Sequence, residues 1–378
     1  MSETVIILGA GASKQAGGPL MFEFLDVAES LLRGGQAGSE QQRAAFELVF
    51  RGLAALQPVF AKGTLDADNL EAVFAAFEMA KLFDSLPPLT KDEVSALPAA
   101  LVTVIVRTLE QKIRLPRNDN IPMSAVANYP FPYVAPQPYR DFAKALKAVI
   151  SSRPDPWRSA AILTFNYDLA LDYALTAEEI PVDYCLDDGD SGIDGLHVLK
   201  LHGSLNWQRC ANCNRIVPWR LRDYLKVFGS EPSQRTSNDY RLEVGQQLWA
   251  FAHCPNTPPP QQSDPIIIPP TWNKTNHYEQ IRVVWRRAAA HLSEARNIVV
   301  VGYSLPPTDE FFRYLYALGT VGPTRLQRFG LIDIDETGTV EKRFRRLLGP
   351  LARRRFAYGR SRFSNAISEI VNHISAPD

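Results

Sequence analysis

Several features that would assign a protein to a broad class are absent from this 378-residue chain. Lys plus Arg and Asp plus Glu both total 41, and this zero net charge argues against a general attraction to nucleic acid or to an anionic membrane. No apolar run approaches the roughly 18 residues of a membrane span, and no basic segment followed by an apolar one opens the chain. Internal repeats and low-complexity segments are also missing. We therefore expect a cytoplasmic protein without a signal peptide or a membrane span.

Cysteine is scarce, with four residues in the whole chain. So few cysteines do not form a disulfide framework in a chain of this length, and a metal site or buried thiols are the better interpretations. Cys210 and Cys213 form a C-x-x-C knuckle, and His253 and Cys254 follow about forty residues later. This spacing predicts a small zinc-ribbon-like insertion at 205–270, in which thiolates and an imidazole surround a structural zinc ion.

The sequence leaves the identity of the fourth zinc ligand undecided. A complete ribbon would carry a second C-x-x-C, but position 257 is Thr257. The fourth ligand is then either His253 or Cys185, or the loop persists without the metal.

The first strong structural signal is the apolar run Val5–Leu8, which leads into Gly9, Ala10, Gly11, Ala12 and Ser13. It predicts a buried parallel strand and a tight turn that opens a helix. The two glycines would let the backbone approach a ligand, and the N–H groups of the helix would face a phosphate. The third glycine of the dinucleotide fingerprint is replaced by Lys14, so a glycine turn that only closes a strand–helix unit is the alternative.

Polar residues also follow the other apolar runs of the chain. Because parallel strands of an open α/β sheet bind ligands at their carboxyl ends, these residues are expected to converge on one crevice. Asp168, taken alone, also fits the role of a cap on the helix that follows it. The runs and their polar ends are 161–165 with Asn166 and Asp168, 197–201 with His202, 297–301 with Gly302 and Ser304, and 329–334 with Asp333.

These patterns together predict an α/β fold with a Rossmann-like, doubly wound parallel sheet, in a single domain over residues 1–378. Residues 41–113 carry Ala, Leu, Phe and Glu at helical spacing, which predicts three or four helices within a mainly helical insertion at 41–150. Asp66–Glu71 within it is interpreted as a helix N-cap with acids in the first turn. After residue 335 we expect helix alone, and therefore no second domain that could serve as a nucleotide motor or a sensor.

Five motifs at the predicted strand ends, taken in order, resemble those of the Sir2 family. They are G-A-G-A-S at 9–13 (G-A-G-x-S in the family), T-F-N-Y-D at 164–168 (T-Q-N-x-D), L-H-G at 201–203 (H-G), G-Y-S-L at 302–305 (G-T-S-L), and L-I-D at 331–333, on the strand that contacts the adenosine ribose. The longer segments T-F-N-Y-D, L-H-G-S-L-N-W, I-I-P-P-T-W-N-K and V-G-Y-S-L-P-P-T-D resemble more closely the bacterial Sir2-like branch of anti-phage defence, whose members cleave NAD.

The resemblance implies that NAD is the substrate and that its nicotinamide–ribose bond is hydrolysed to nicotinamide and ADP-ribose, which would deplete NAD in abortive infection. Asn166 would hold the ribose hydroxyls or the attacking water, His202 would accept a proton, and Asp168 would support the nicotinamide end or the Asn166 loop. The pyrophosphate and the adenosine ribose would be held by Gly9, Ala10, Gly11, Ser13, Gly302, Ser304 and Asp333.

Two other functions remain as alternatives: a non-catalytic subunit that binds NAD or ADP-ribose, and an NAD-dependent protein deacylase. The segment 268–274 lacks the F-G-E of deacylases and contains two prolines, which cannot donate backbone hydrogen bonds to an added peptide strand. The resemblance also implies a homo-oligomer and a trigger on another chain, such as a separate ATPase or a nucleic-acid sensor.

Overall fold

The computed structural model describes residues 3–61, 63, 65–122, 132–187, 192–229, 238–255, 264–268, 275–307, 309–322 and 324–375. A parallel sheet of seven strands forms its centre, with the spatial order β13-β12-β11-β1-β3-β5-β4. These strands are β1 Thr4–Leu8, β3 Ala160–Thr164, β4 Val182–Asp183, β5 Leu196–Lys200, β11 Asn297–Val301, β12 Arg328–Asp333 and β13 Phe356–Arg360.

The central strand β1 is buried along its whole length, as are its neighbours β3 and β11. Both faces of these strands are covered, which is why their sequences are continuous apolar runs rather than alternating ones. The chain moves from β1 to β3 on one side and returns to β11 on the other. The strand order therefore reverses between β1 and β11, and a ligand crevice is expected at the carboxyl ends of these two strands.

Helices cover both faces of the sheet and also form a separate group before β3. α6 packs on both α7 and α13, and α13 also packs against β1, β11 and β12, whereas α9 packs on α10 and on β5. The helices are α1 Ala10–Lys14, α2 Phe24–Arg33, α3 Glu40–Leu56, α4 Leu70–Phe83, α5 Lys91–Lys112, α6 Tyr139–Ile150, α7 Ala170–Ala177, α8 Leu221–Phe228, α9 Thr275–Glu294, α10 Glu310–Gly319, α11 Thr339–Leu347, α12 Pro350–Arg353 and α13 Phe363–Ser375.

The doubly wound α/β class predicted from the sequence is thus confirmed. The helices α3, α4 and α5 occupy the stretch read as helical, and they pack as the pairs α3–α5 and α4–α5. Ser39 and Thr90 begin α3 and α5 with capping boxes, and Asn69 caps α4 by accepting from the backbone N–H of Glu71.

The other six strands of the described residues form three short antiparallel ladders, namely β2 Arg114–Pro116 with β9 Asp239–Arg241, β6 Gly203–Ser204 with β10 Ile266–Ile267, and β7 Trp207–Arg209 with β8 Ile216–Pro218. The β2–β9 pair joins the segment after the helical group to the segment after β5. A buried carboxyl group, Glu110, supports this junction by accepting from the backbone N–H of Gly245 at 2.6 Å.

The expectation of helix alone after residue 335 is wrong, because β13 forms the edge of the sheet there. Its residues are half-buried or exposed, since one side of an edge strand faces solvent. An edge strand lacks the continuous apolar run that marks β1, and the arginines at 353–355 before it conceal the pattern further. None of the helices that the structure describes is long and apolar enough to cross a bilayer.

Candidate functional site

A cavity of about 650 Å³ lies over the carboxyl ends of the strands at the reversal of strand order. This volume falls within the range of small-molecule sites, roughly 300–1,000 Å³. Residues that follow β1, β3, β5 and β11 line it together with the end of β12. Among them are Ala10, Gly11, Asn166, His202, Gly302, Ser304 and Asp333, all singled out in the sequence.

Asn166 enters the cavity wall with its amide group in a defined orientation. Its Nδ2 donates to the carbonyl oxygen of Gly9 and to the hydroxyl of Ser13, both at 2.9 Å. The reverse orientation would place the Oδ1 of Asn166 against the Gly9 carbonyl, which offers no hydrogen. The amide nitrogen is therefore held by the protein, and the carbonyl Oδ1 is the atom that Asn166 can offer to a hydroxyl group or a water molecule.

A buried network behind the wall holds Asn166 in place. The Ser13 hydroxyl donates to Asp168 Oδ2 at 2.7 Å and lies 3.0 Å from the hydroxyl of Tyr139. Asp168 in turn accepts at Oδ1 from the backbone N–H of Ala170 and so also interacts with the start of α7. Burial raises the pKa of Asp168, and the nearby Lys200 ammonium opposes that rise. Ser13 and Asp168 thus lie behind Asn166 and do not line the cavity themselves.

A buried ion pair completes this network. The Nζ of Lys200, which is 1% exposed, lies 3.0 Å from Asp172 Oδ2 and donates to the backbone carbonyl of Asp168 at 2.7 Å. The Tyr184 hydroxyl donates to the other carboxylate oxygen of Asp172. The Lys200 ammonium therefore holds the backbone of the loop that carries Asn166, and Ser13 holds the Asn166 side chain.

His202 lies in the cavity wall just after β5 and is 4% exposed. Its backbone carbonyl accepts from Ile268 N–H at 2.8 Å, and the preceding carbonyl, of Leu201, accepts from the Trp285 indole at 2.9 Å. The imidazole packs edge-on against Phe165, with ring centroids 5.2 Å apart. Phe165 also stacks on Tyr303 at 4.2 Å, so aromatic contacts join the ends of β3, β5 and β11.

The glycines of the first turn allow two backbone segments to meet closely. The N–H of Gly11 donates to the Gly302 carbonyl at 2.8 Å. A Cβ on Gly9 would lie 2.6 Å from that carbonyl oxygen, and one on Gly11 would lie 2.8 Å from Gly302 Cα. Gly302 has a φ of +60°, and a Cβ there would lie 2.4 Å from the backbone nitrogen of Ala12. These glycines are required for the contact between the two turns, a role the sequence pattern did not reveal.

Glu71, which the sequence pattern suggested only as a first-turn acid of α4, is buried and lines the cavity. Burial raises the pKa values of the Tyr167 and Tyr303 hydroxyls, and the negative charge of Glu71 raises that of Tyr167 further. The pKa of Tyr303 is raised further mainly by Asp309, to which its hydroxyl donates, and to a smaller extent by Glu71. The negative charge of Glu71 thus affects the part of the cavity wall that also carries His202. The only signal in the sequence was its position two residues after the capping Asn69, which many helix starts share.

The opposite end of the cavity is more exposed. Asp333 is half-buried, and its Oδ1 accepts from the backbone N–H of Asp335 at 2.8 Å. Burial raises the pKa of Asp333, and the charge of Asp335 contributes in the same direction. Lys14, which replaces the third glycine of the fingerprint, lines the cavity and pairs with Glu23. Arg362 adds a second positive charge to the lining.

A second candidate site joins the turn of the β7–β8 hairpin to residues 253–254, and we call its four members the hairpin cluster. The ligand atoms of Cys210, Cys213, His253 and Cys254 all lie within 4.8 Å of one another. The sulfurs of Cys210 and Cys254 are 3.7 Å apart, and His253 Nδ1 is 3.3 Å from Cys213 Sγ. Tetrahedral zinc with Zn–S bonds of 2.3 Å separates its sulfurs by about 3.8 Å, so this donor set fits the ion. His253, and not Cys185, completes the group.

No family model and no curated protein matches the sequence. Solved Sir2 structures do match the fold. A Sir2 homologue in complex with NAD has 15% identity and a TM-score of 0.41, covering 98% of this chain and 88% of that one. A mutant Sir2 homologue with ADP-ribose has 14% identity and a TM-score of 0.39, covering 98% and 91%. Matches at this level establish neither the substrate nor the reaction of this chain.

Proposed function

We propose that this protein is a Sir2-like NAD⁺ hydrolase that cleaves the nicotinamide–ribose bond. The observation that carries the proposal is the cavity at the reversal of strand order, where the oriented amide of Asn166 and the imidazole of His202 share one wall. The order of the motifs that supply these residues is that of the Sir2 family. The cations Lys14 and Arg362 at the cavity would interact with the pyrophosphate, and Asp333 would accept from the adenosine ribose hydroxyls.

In the proposed reaction the bond between ribose C1′ and the nicotinamide nitrogen breaks, and its electron pair neutralises the pyridinium. No strong general acid is needed, because the leaving group already carries the positive charge. The sugar passes through an oxocarbenium-like state, which the nearby carboxylate of Glu71 would stabilise. Water attacks C1′ and gives its proton to His202, which releases it to solvent. The Oδ1 of Asn166 accepts a hydrogen bond from the water or from a ribose hydroxyl.

The decisive measurement is nicotinamide release from NAD⁺ by the purified protein. His202→Ala and Asn166→Ala are each expected to lower turnover by about a hundredfold or more, because each removes a group placed on the reacting atoms. His373→Ala and Asn372→Ala are matched controls on α13, away from the cavity lining, and should retain wild-type turnover. Turnover near the wild-type level in both cavity variants would refute the catalytic assignment.

The same assay separates the alternatives. Release that requires an acetyl-lysine peptide would identify a protein deacylase. The segment on which the sequence argument against a deacylase rests, 269–274, lies outside the described residues. NAD⁺ binding without release in any condition would identify a binding subunit.

We further propose that the cluster of Cys210, Cys213, His253 and Cys254 holds a structural zinc ion. A backbone hydrogen bond from Cys213 is the main cause that lowers the pKa of Cys210 to about 6, which favours the thiolate that a metal requires. The ion would connect the β7–β8 turn to the segment at 253–254. It lies outside the cavity lining, so its role would be in folding and not in chemistry.

Depletion of NAD in anti-phage defence, assembly into a homo-oligomer and activation by a separate ATPase or nucleic-acid-sensing chain are parts of the same proposal. An unregulated NAD hydrolase would harm its own cell, and the family resemblance points to such control. Light scattering on the purified protein, combined with the release assay, tests it. A fully active monomer would contradict the expectation of a switch.

A further inference from the structure

A second group of metal-ligating side chains lies at the edge of the sheet formed by β4 and β5. Asp183 ends β4, Cys185 follows two residues later, and His197 lies near the start of β5. One ligand atom from each of the three lies within 4.8 Å of the others. Asp183 and Cys185 are buried, and the His197 side chain is 32% exposed, so the group is shielded on the protein side.

The carboxylate of Asp183 and the imidazole of His197 lie close to the separation expected of two ligands of one metal ion. His197 Nε2 and Asp183 Oδ2 are 3.8 Å apart, which is too long for a hydrogen bond. Ligands bound to tetrahedral zinc at about 2.0–2.1 Å lie about 3.4 Å from each other. A closure of about 0.4 Å would therefore bring the two atoms into a coordination sphere. The other carboxylate oxygen of Asp183 accepts from the Cys185 N–H at 2.7 Å, which orients the carboxylate.

A second histidine supports His197 from behind. His197 Nδ1 lies 2.8 Å from Nε2 of His291, a residue of α9 that is 1% exposed. When His197 donates this hydrogen bond, its Nε2 carries the lone pair and faces Asp183. This is the tautomer that binds metals, and an outer hydrogen bond on the opposite ring nitrogen is the usual way in which proteins select it.

We propose that Asp183, Cys185 and His197 bind a divalent transition metal of the zinc class, with His291 orienting His197. A donor set of carboxylate oxygen, thiolate sulfur and imidazole nitrogen suits Zn²⁺ and Co²⁺, and three protein ligands leave the fourth position to water. On binding, the Cys185 thiol releases its proton to solvent and the sulfur bonds to the metal. The inference is independent of the proposed NAD chemistry.

The location indicates what such an ion would do. His197 lies at the amino half of β5, whereas His202 follows the carboxyl end of the same strand, and none of the three ligands lines the NAD cavity. The ion would bind the short edge strand β4 to β5, and His291 would extend this connection to α9. α9 also carries Trp285, which donates to the carbonyl preceding His202. The proposed role is therefore to stabilise this edge of the sheet.

The test is a Co²⁺ titration of the full-length protein after removal of metals with a chelator, with bound ions counted by native mass spectrometry. Absorption from thiolate-to-cobalt charge transfer identifies cysteine ligation. The triple variant Cys210→Ala, Cys213→Ala, Cys254→Ala removes every thiolate of the hairpin cluster and leaves His253 alone there, and it is expected to retain one cobalt ion bound by a single thiolate. Adding Asp183→Asn to this variant should weaken the binding of that cobalt ion by at least tenfold, which is about the smallest effect expected for the loss of a ligand.

Asp183→Asn is the sharper variant because its amide oxygen can still accept from the Cys185 N–H, so the loop is expected to fold. Cys185→Ala in the same background should remove the charge-transfer band, and circular dichroism checks that each variant is folded. The proposal is overturned if the triple variant binds no cobalt, or if adding Asp183→Asn to it leaves the cobalt affinity unchanged. Because no readout involves NAD turnover, failure of the hydrolase proposal would leave this result unaffected.

Discussion

The two ends of the cavity are constructed in different ways. At the β3 end, Asn166 is held by Ser13 and the Gly9 carbonyl, residues that lie more than 150 positions away in the chain. At the β12 end, Asp333 accepts from the backbone N–H of Asp335, and Asp335 accepts from residues a few positions further along. Long-range contacts therefore determine the geometry of the first end, whereas local turns determine that of the second.

This difference predicts how substitutions act at each end. At the β3 end, the groups that orient Asn166 are buried and belong to the folding core, so a change there affects both stability and turnover. At the β12 end, a change should alter the affinity for the ligand and leave stability almost untouched. Three substitutions distinguish the two ends of the cavity.

Lys200→Met should have the largest effect on stability. It leaves the buried carboxylate of Asp172 without its cation and removes the donor to the Asp168 carbonyl, and breaking such a pair costs about 3–5 kcal/mol. Urea unfolding measures the loss. Lys226→Met is the matched control, because the Lys226 side chain is 77% exposed and its pair with Asp223 is worth at most about 1 kcal/mol. Equal losses in the two variants would show that the buried pair does not support this end.

Ser13→Ala should reduce both stability and turnover, with a smaller loss of stability than Lys200→Met. It leaves the Asp168 carboxylate, and one hydrogen of the Asn166 amide, without the Ser13 hydroxyl, and we expect a loss of about 1–3 kcal/mol. Because Ser13 acts through Asn166, kcat for nicotinamide release should fall while KM stays near the wild-type value. A rise in KM with unchanged kcat would instead assign Ser13 to ligand binding, as the motif resemblance implied.

Asp333→Asn should change unfolding by less than about 0.5 kcal/mol, as expected for a side chain bonded only to its own loop. It should raise KM about tenfold if a charge-assisted bond to the ribose is lost. Burial raises the pKa of Asp333, so acidification protonates it earlier than an ordinary carboxyl group, and the NAD affinity of the wild type should decrease as the pH falls. The Asn variant should lack that decrease, and KM measured against pH provides the comparison.

The parts predicted from the sequence are those whose cause is local. Four apolar residues before a glycine turn were sufficient to identify β1, because a strand buried on both faces needs such a run. The C-x-x-C spacing likewise predicted a cluster that the fold does bring together, with His253 as its fourth member. In both cases the residues that carry the signal are neighbours in the chain, or belong to two short segments of recognisable type.

The parts that escaped prediction depend on tertiary contacts. The Ser13 hydroxyl donates to Asp168 and accepts from the Asn166 amide, and both partners lie more than 150 positions away in the chain, so no local pattern reveals this network. Glu71 lines the cavity because α4 packs beside it, and first-turn acids are common on helices that have no ligand. The edge strand β13 was missed because half of its surface faces water.

The contact between Gly11 and Gly302 also bears on the order in which the protein becomes functional. The two residues are joined by a backbone hydrogen bond, and β11, which leads into Gly302, pairs directly with β1. During synthesis β1 therefore cannot pair with β11 until almost three hundred further residues have left the ribosome. An unfinished chain has β1 and β3 but lacks the opposite wall of the cavity. A nascent chain that lacks β11 would thus be unable to hold a dinucleotide. The proposed activity would appear only after β11 has been synthesised and has paired with β1.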